Sequence, residues 1–501
     1  MLSVSLAVAL FRTAAPGLAQ HAPGAADIAE LDAYIVRAVA DWRIPGLAIA
    51  VVRDDSVVFA KGYGVLELGK SGVVDTGTRF AIGSTTKAMT AVALGMLVDE
   101  GKIQWDAPVI RYLPAFRVAD PYVTRELTVR DLLTHRGGLG NTDQLWASTD
   151  YSTAEIIRRA STLEPAYSLR SRFIYQNIMY AVAGEVVAAV SGVPWADFVR
   201  TRIFEPLGMK ATAATRGALE GHPNVAAPHM SIRDTIRAVT NRSVDAVAAA
   251  GAVWSSVGDM ALWTRFVLDS ARVHGRRLLS AASYREILSP QVIAPLDMYA
   301  TTPLIRPRFF TYGFGWFLHD YEGEAVAMHT GSIDGMSALI GLLPDRRIGV
   351  YVLANLDHAE LRHALMYRVF DLYSGKAPRD WSAELLALYG RLRAQTVAAR
   401  EQQEQRRVRD TQPSLPLERF AGTYTHPTYG NAVVAMRAGA LRFAFGTRAA
   451  ALTHWQYDTF QAHWEDVRMS PSLIVFATDG SGGVSSVRAF GITFNRTAPP
   501  R

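Results

Sequence analysis

Strand-like runs stand near both ends of the first 360 or so residues, and the sequence between them reads as helix and loop. "LAIAVVRDDSVVFAKGYG", from Leu47, gives two apolar strands around a polar Arg53-Asp54-Asp55 turn, which is a hairpin pattern. From Thr311 on, "TYGFGWFLHD", "EAVAMHTG", "SALIGLLPD" and "RIGVYVLANLD" are short strands separated by turn residues. Strand groups that bracket a helical stretch are placed to share one sheet, so an α+β domain is expected. Before the first hairpin, "IAELDAYIVRAVADWRIPG" has the spacing of an amphipathic helix, ended by Pro45-Gly46. Residues 381–410 are helical in composition and become strongly polar, and "TQPSLP" reads as a linker. Beyond Glu418, "FAGTYTHPTYGNAVVAMRAGALRFAFG" alternates in period two with glycine at the turns. That predicts a small antiparallel β domain, either barrel-like or a curved sheet. Few core contacts are expected to cross the polar, proline-containing junction.

A chain of 501 residues, 49% hydrophobic, suggests roughly two or three domains. The net charge of +6 is spread over scattered arginine, which reads as a solvated surface and not as a nucleic-acid groove. There is no cysteine, which excludes disulfides, thiolate metal sites and a cysteine nucleophile. "LSVSLAVALF" followed by "RTAAPGLAQ" resembles a signal-peptide core with a small-residue cleavage site, placing a leader at 1–19 and the protein in the periplasm or secreted. No other stretch reaches the ~20 apolar residues of a membrane span, so no stable span is expected after leader removal.

"FAIGSTTKAMTAVALGMLVDEGKI" carries Ser84 and Lys87 where an apolar helix begins, and only six residues of the chain are lysine. Positions i and i+3 share a helix face, so hydroxyl and amine can meet. A serine is a poor nucleophile until a base takes its proton, and a desolvated lysine can take it. The ordinary alternative is a serine N-cap beside an exposed lysine. Two further segments bear on the choice. Tyr175-Gln176-Asn177 offers a phenol for proton transfer and an amide to orient the lysine. His329-Thr330-Gly331-Ser332 ends an apolar strand, where glycine permits close backbone approach and the Ser332 N–H can pair with that of Ser84 as an oxyanion donor. Tyr429-Gly430-Asn431 and His135-Arg136-Gly137 have the same spellings. Their contexts, a turn of the β domain and the end of a helix-like "TVRDLLT", set them aside. His135, His329 and Asp334 form no spaced ligand cluster, and no metal is expected.

With these segments in the order S-x-x-K, Y-x-N, H-x-G, the chain resembles serine hydrolases related to class C β-lactamases and penicillin-binding proteins of the D-Ala-D-Ala carboxypeptidase type, the S12 peptidases. "LTVRDLLTHRGGL", "IFEPLGMKAT" and "AGAVWSSVGDMALW" are similar to that family's connecting segments over about residues 30–370. The tail resembles the lipocalin-like domain appended to some D-aminopeptidases. The resemblance implies a β-lactamase/transpeptidase-like domain at 25–380 (an antiparallel sheet flanked by helices, plus a helical subdomain), a helix and linker at 381–414 and a barrel-like domain at 415–501. It implies Ser84 as nucleophile, Lys87 and Tyr175 as proton-transfer groups with the principal base open, and Asn177, His329, Gly331 and Ser332 around the substrate, without a cofactor. His329 stands where relatives often carry lysine, which favours peptidase or esterase over β-lactamase. The expected substrate is a small molecule or peptide with a peptide, amide or ester bond, D-amino-acid-containing peptides included. A β-lactamase or penicillin-sensitive carboxypeptidase, and a sensor or scaffold that binds without turnover, are the alternatives. A homo-oligomer is compatible with the sequence.

Overall fold

The structure, a computed structural model, describes residues 23–497. The leader read at 1–19 lies outside the described residues. Helix α1 (Ala25–Asp41) opens the fold. It stops short of Pro45-Gly46, because Arg43 takes a left-handed φ of 54° and the Ile44 N–H returns to the Val39 carbonyl at 3.0 Å. This is a Schellman-type cap with arginine where glycine is usual. The hairpin follows as β1 (Gly46–Arg53) and β2 (Ser56–Gly64). Three of the helices that come next matter for the site: α2 (Thr86–Asp99), α3 (Asn177–Ser191) and α4 (Val257–Leu268).

The chain then returns to the sheet through β3 (Val292–Ile293), β4 (Phe310–Tyr312), β5 (Phe317–Tyr321), β6 (Glu324–Ile333), β7 (Met336–Leu343) and β8 (Ile348–Ala354). The strand order is β2-β1-β8-β7-β6-β5-β4-β3, antiparallel throughout. The two sequence-distant strand groups thus meet where β1 pairs with β8, Ala50 opposite Tyr351. Leu47, Ile49 and Val51 bury one face of the sheet in a core shared with α1 and with α5 (Leu361–Ser374). Ala48, Ala50 and Val52 bury the other in the core that holds α2 and α4. Burial on both faces explains why these strands read as continuous apolar runs and not as alternation.

The 25-residue helix α6 (Trp381–Gln405) leads on to a closed eight-stranded barrel. Its strands β9–β16 run Gly422–His426, Gly430–Arg437, Ala440–Phe445, Arg448–Gln456, Thr459–Trp464, Ser472–Thr478, Val484–Ala489 and Ile492–Arg496. Tyr424, Phe443, Phe445, Phe460, Phe476 and Phe494 are buried in it, so it is packed with side chains.

The junction is richer than the sequence suggests. The Arg159 guanidinium donates to the Thr428 carbonyl at 3.0 Å, Arg448 to the Ala147 carbonyl at 3.0 Å, and the Thr447 N–H to the Ser148 carbonyl at 2.8 Å. Arg468 of the barrel reaches Asp334 at 3.1 Å, and Arg242 donates to the same carboxylate at 2.8 Å. The barrel is therefore clamped onto the turn between β6 and β7. Among the described residues no single helix is long and apolar enough to cross a membrane.

Candidate active site

Between Phe80 and Leu97 every residue is buried except Ser84. Ser84 lies in a 3₁₀ turn, Gly83–Thr85, that runs directly into α2. A helix that is apolar all round must be buried on every side, and this one holds its first turn rigidly inside the fold. Lys87, one turn on, is fully buried. Its amine is 2.9 Å from the Ser84 Oγ, 2.8 Å from the Asn177 Oδ1 and 2.9 Å from the Ala250 carbonyl oxygen. Desolvation pulls Lys87 down to about 7, and the Asp143 carboxylate offsets part of that fall. A neutral amine has two protons and one lone pair. With Asn177 and Ala250 taking the protons, the lone pair faces the Ser84 hydroxyl.

Tyr175 closes the other side. Its ring lies 4.8 Å from the Lys87 amine, and its phenol shares a hydrogen bond with Ser84. Burial pushes that phenol well above its ordinary value, so the resting group is a neutral O–H. Asn177 opens α3 and gives its Nδ2–H to Asp143 at 3.0 Å, which turns its carbonyl toward Lys87.

The strand edge supplies backbone. β5 pairs with β6 only as far as Phe317 opposite Met328, so the segment from His329 to Ile333 extends past β5. A Cβ on Gly331 would lie 1.9 Å from the Ile82 carbonyl oxygen, and one on Gly83 (φ +53°) would lie 2.7 Å from the Ser332 nitrogen. These two glycines let strand and turn touch, which brings the Ser332 amide beside Ser84. Behind the edge, buried Arg362 donates to the Gly331 carbonyl at 2.6 Å and to the Ser332 Oγ at 2.9 Å. A cleft of about 620 Å³ shares Ser332 with this site and is lined further by Trp146, Arg242 and, from the barrel, Thr447.

Ser84, Lys87, Tyr175, Asn177, Gly331 and Ser332 thus meet in one place. His329 is also here, but with its imidazole buried, bonded to Tyr312 at 3.1 Å and to the Thr330 carbonyl at 2.6 Å, and held down at about 3 by desolvation and the Lys87 charge. It is a neutral ring behind the edge, offering no cation to a substrate. Tyr429 stays apart, at the barrel junction, where its carbonyl accepts from Tyr151. His135, set aside on its sequence context, packs its ring 4.3 Å from that of Tyr175. Sequence reasoning missed Asp143 and Arg362; both act across folds of chain that no local pattern marks.

A family model described as "Beta-lactamase" matches residues 31–373, and one described as "Domain of unknown function (DUF3471)" matches residues 406–498. The unguisins hydrolase ungD of Aspergillus violaceofuscus is 29% identical over 458 residues, covering 86% of this chain and 79% of that protein. The octameric penicillin-binding protein homologue from Pyrococcus abyssi has the same fold, with a TM-score of 0.61 at 22% identity over 92% of this chain and 97% of that one. SurE, solved with D-Leu, superposes with a TM-score of 0.55 at 20% identity, over 95% of this chain and all (100%) of that one.

Proposed function

This chain belongs to the beta-lactamase family, whose members are serine hydrolases, and we propose that it hydrolyses peptide, amide or ester bonds through an acyl-enzyme on Ser84. The observation that carries this reading is the Lys87 amine, fully buried, 2.9 Å from the Ser84 hydroxyl and drawn down to about 7. Lys87 takes the Ser84 proton as Oγ attacks the carbonyl carbon. The N–H groups of Ser84 and Ser332 receive the negative charge on the former carbonyl oxygen. Tyr175, an O–H at rest, gives its proton to the departing amine or alkoxide and is reprotonated from Lys87. Water then attacks the ester, its proton leaves by the same groups, and Ser84 is released. Lys87 is the principal base in this scheme, because burial leaves much of the amine unprotonated and available at neutral pH, while it makes the phenolate costly to form.

The substrate class is a peptide, with D-residues favoured. The hydrolase name of the Aspergillus relative supports hydrolytic turnover, and the D-Leu solved with SurE supports a D-residue. A β-lactamase reading is weaker, since neutral His329 gives no cation for a substrate carboxylate. The octameric Pyrococcus abyssi homologue supports a homo-oligomer, which solution mass tests. The deciding experiment is a fluorophosphonate label on the wild-type chain and on Ser84→Ala, followed by a panel of p-nitrophenyl esters, D-amino-acid amides, D-residue peptides and a chromogenic β-lactam. We expect label and turnover in the wild type only, with the peptides and esters ahead of the β-lactam. Turnover retained by Ser84→Ala removes the assignment.

A further inference from the structure

Under Tyr175 lies a set of buried polar side chains that the reaction above leaves unused. His135, Tyr312 and His329 are each at most 1% exposed. The Gln176 N–H donates to the His135 Nδ1 at 3.0 Å. That nitrogen therefore carries a lone pair, and a neutral ring must hold its proton on Nε2, which sits 3.3 Å from the Tyr312 hydroxyl. At the other end the His329 Nδ1 is 2.6 Å from the Thr330 carbonyl oxygen. A carbonyl only accepts, so this ring holds its proton on Nδ1, and its Nε2, 3.1 Å from Tyr312, needs a donor. Tyr312 has one proton to give. Tyr180, its neighbour, gives its own to the Leu133 carbonyl at 2.8 Å. Tyr180 also lies within hydrogen-bond reach of Tyr312, but its oxygen already accepts from the Gly315 N–H, whereas the His329 Nε2 has Tyr312 as its donor. With both rings neutral, the assignment that leaves neither ring nitrogen unpaired runs Gln176 N–H to His135, His135 to Tyr312, Tyr312 to His329, His329 to the Thr330 carbonyl.

Backbone geometry marks the same place. His135 has φ +58°, a left-handed conformation that costs a non-glycine residue energy and persists only where the surroundings impose it. From there its carbonyl accepts the Ile174 N–H at 2.8 Å while its ring accepts the Gln176 N–H. One residue thus brackets Tyr175 from both sides and stacks beneath its ring at 4.3 Å.

We propose that His135 and Tyr312 are positioning residues for the hydrolysis proposed above: their one-way hydrogen-bond chain ties the segment carrying Tyr175 to the strand edge carrying the Ser332 amide, and it exists only with His135 as the Nε2–H and His329 as the Nδ1–H tautomer. This rests on the serine-hydrolase reading. An added proton on either ring breaks the chain by placing two donors face to face. The groups facing the rings oppose that proton: the Lys87 charge bears on both, Arg362 adds to it at His329, and the other neighbours, Tyr175, Tyr180, Tyr299 and Phe173, are neutral.

The test uses the full chain. Nitrogen-15 imidazole spectra at pH 7, assigned with His135→Gln and His329→Gln, should show opposite neutral tautomers for these two rings. Tyr312→Phe removes the middle link with little change in volume. It should keep its melting temperature within a few degrees and lower the fluorophosphonate inactivation rate constant on the order of 10- to 100-fold, with reagent affinity unchanged. His135→Gln, whose amide can still donate to Tyr312, should retain more activity than His135→Ala. Adding His135→Ala to Tyr312→Phe should cost less than the product of the two losses. A purely structural role would lower the melting temperature and leave the rate per folded molecule alone. Identical tautomers, a charged ring at pH 7, or a Tyr312→Phe protein labelled at the wild-type rate overturns the proposal by itself. Wild-type protein that takes no label overturns the hydrolase reading, and the positioning role with it.

Discussion

In the proposed reaction Lys87 is fitted for proton transfer by being cut off from water. Burial lowers it from 10.5 to about 7, so below that pH the amine is protonated and cannot accept from Ser84. The rate kcat/KM for an ester should therefore fall about tenfold per pH unit below an acid limb near 7 and level off above it. A profile flat down to pH 5 contradicts Lys87 as the base. Asp143 gives the limb a handle. Its carboxylate raises Lys87 and receives the Asn177 amide at 3.0 Å. Asp143→Asn removes the charge and keeps an acceptor, so the limb should move to lower pH with little loss of plateau rate. Asp143→Ala should move the limb the same way and also lower the plateau roughly tenfold, because the Asn177 amide loses its partner. A limb that moves upward in either variant is the opposite of what the charge predicts. Ser84, Lys87 and Asn177 were legible in the sequence because a helix start fixes their spacing. Asp143 was not, since a loop brings it to Asn177 across 34 residues. His135 was set aside because it follows the helix-like "TVRDLLT" and not a strand, and only the fold shows that both rings reach Tyr312.

At the scale of elements, the site depends on how closely β6 approaches the turn before α2. Gly331 is the contact point, because a Cβ there would lie 1.9 Å from the Ile82 carbonyl oxygen. Gly331→Ala must push the strand off the turn and carry the Ser332 amide away from Ser84. Overpacking of this kind costs about 1–3 kcal/mol, and displacement of an oxyanion donor costs on the order of 10²–10³ in rate. Thermal melting and fluorophosphonate labelling together should show a modest loss of stability and a much larger loss of reactivity. A variant that labels normally would mean that the Ser332 amide is not where the charge develops. The same strand shows what a sequence can and cannot display. Apolar runs marked β1, β7 and β8, and the bracketing of helices by strands led to one sheet. The two-residue β3 and the arrest of α1 at Asp41 were invisible, because the first is too short to have a period and the second depends on Arg43 adopting a conformation that glycine usually takes.

At the scale of the whole molecule, the barrel presents its edge to the hydrolase core, while aromatic side chains fill its interior. A Cβ on Gly446 would lie 2.0 Å from the Ser148 carbonyl oxygen, so barrel and hydrolase core touch backbone to backbone there. The next residue, Thr447, lines the same cleft of about 620 Å³ as Ser332. A substrate that reaches from Ser84 past Ser332 into that cleft meets Thr447. Thr447→Trp should lower kcat/KM for a peptide of several residues by about tenfold or more while leaving p-nitrophenyl acetate within about twofold, since the small ester occupies only the space over Ser84. Deleting residues 412–501 should likewise leave Ser84 reactive toward a small ester and abolish discrimination by length, because every group in the proposed chemistry precedes residue 333. Removal also strips Arg468 from Asp334 and exposes the face that Arg448 and Thr428 cover. Gly446→Ala in the intact chain gives the control, displacing the barrel edge without removing the domain. The three proteins should agree in sign: large substrates suffer and the small ester does not. Equal losses on both substrates would place the barrel's effect in the stability of the core, and no loss on either would mean that substrate leaves Ser84 by another side of the site.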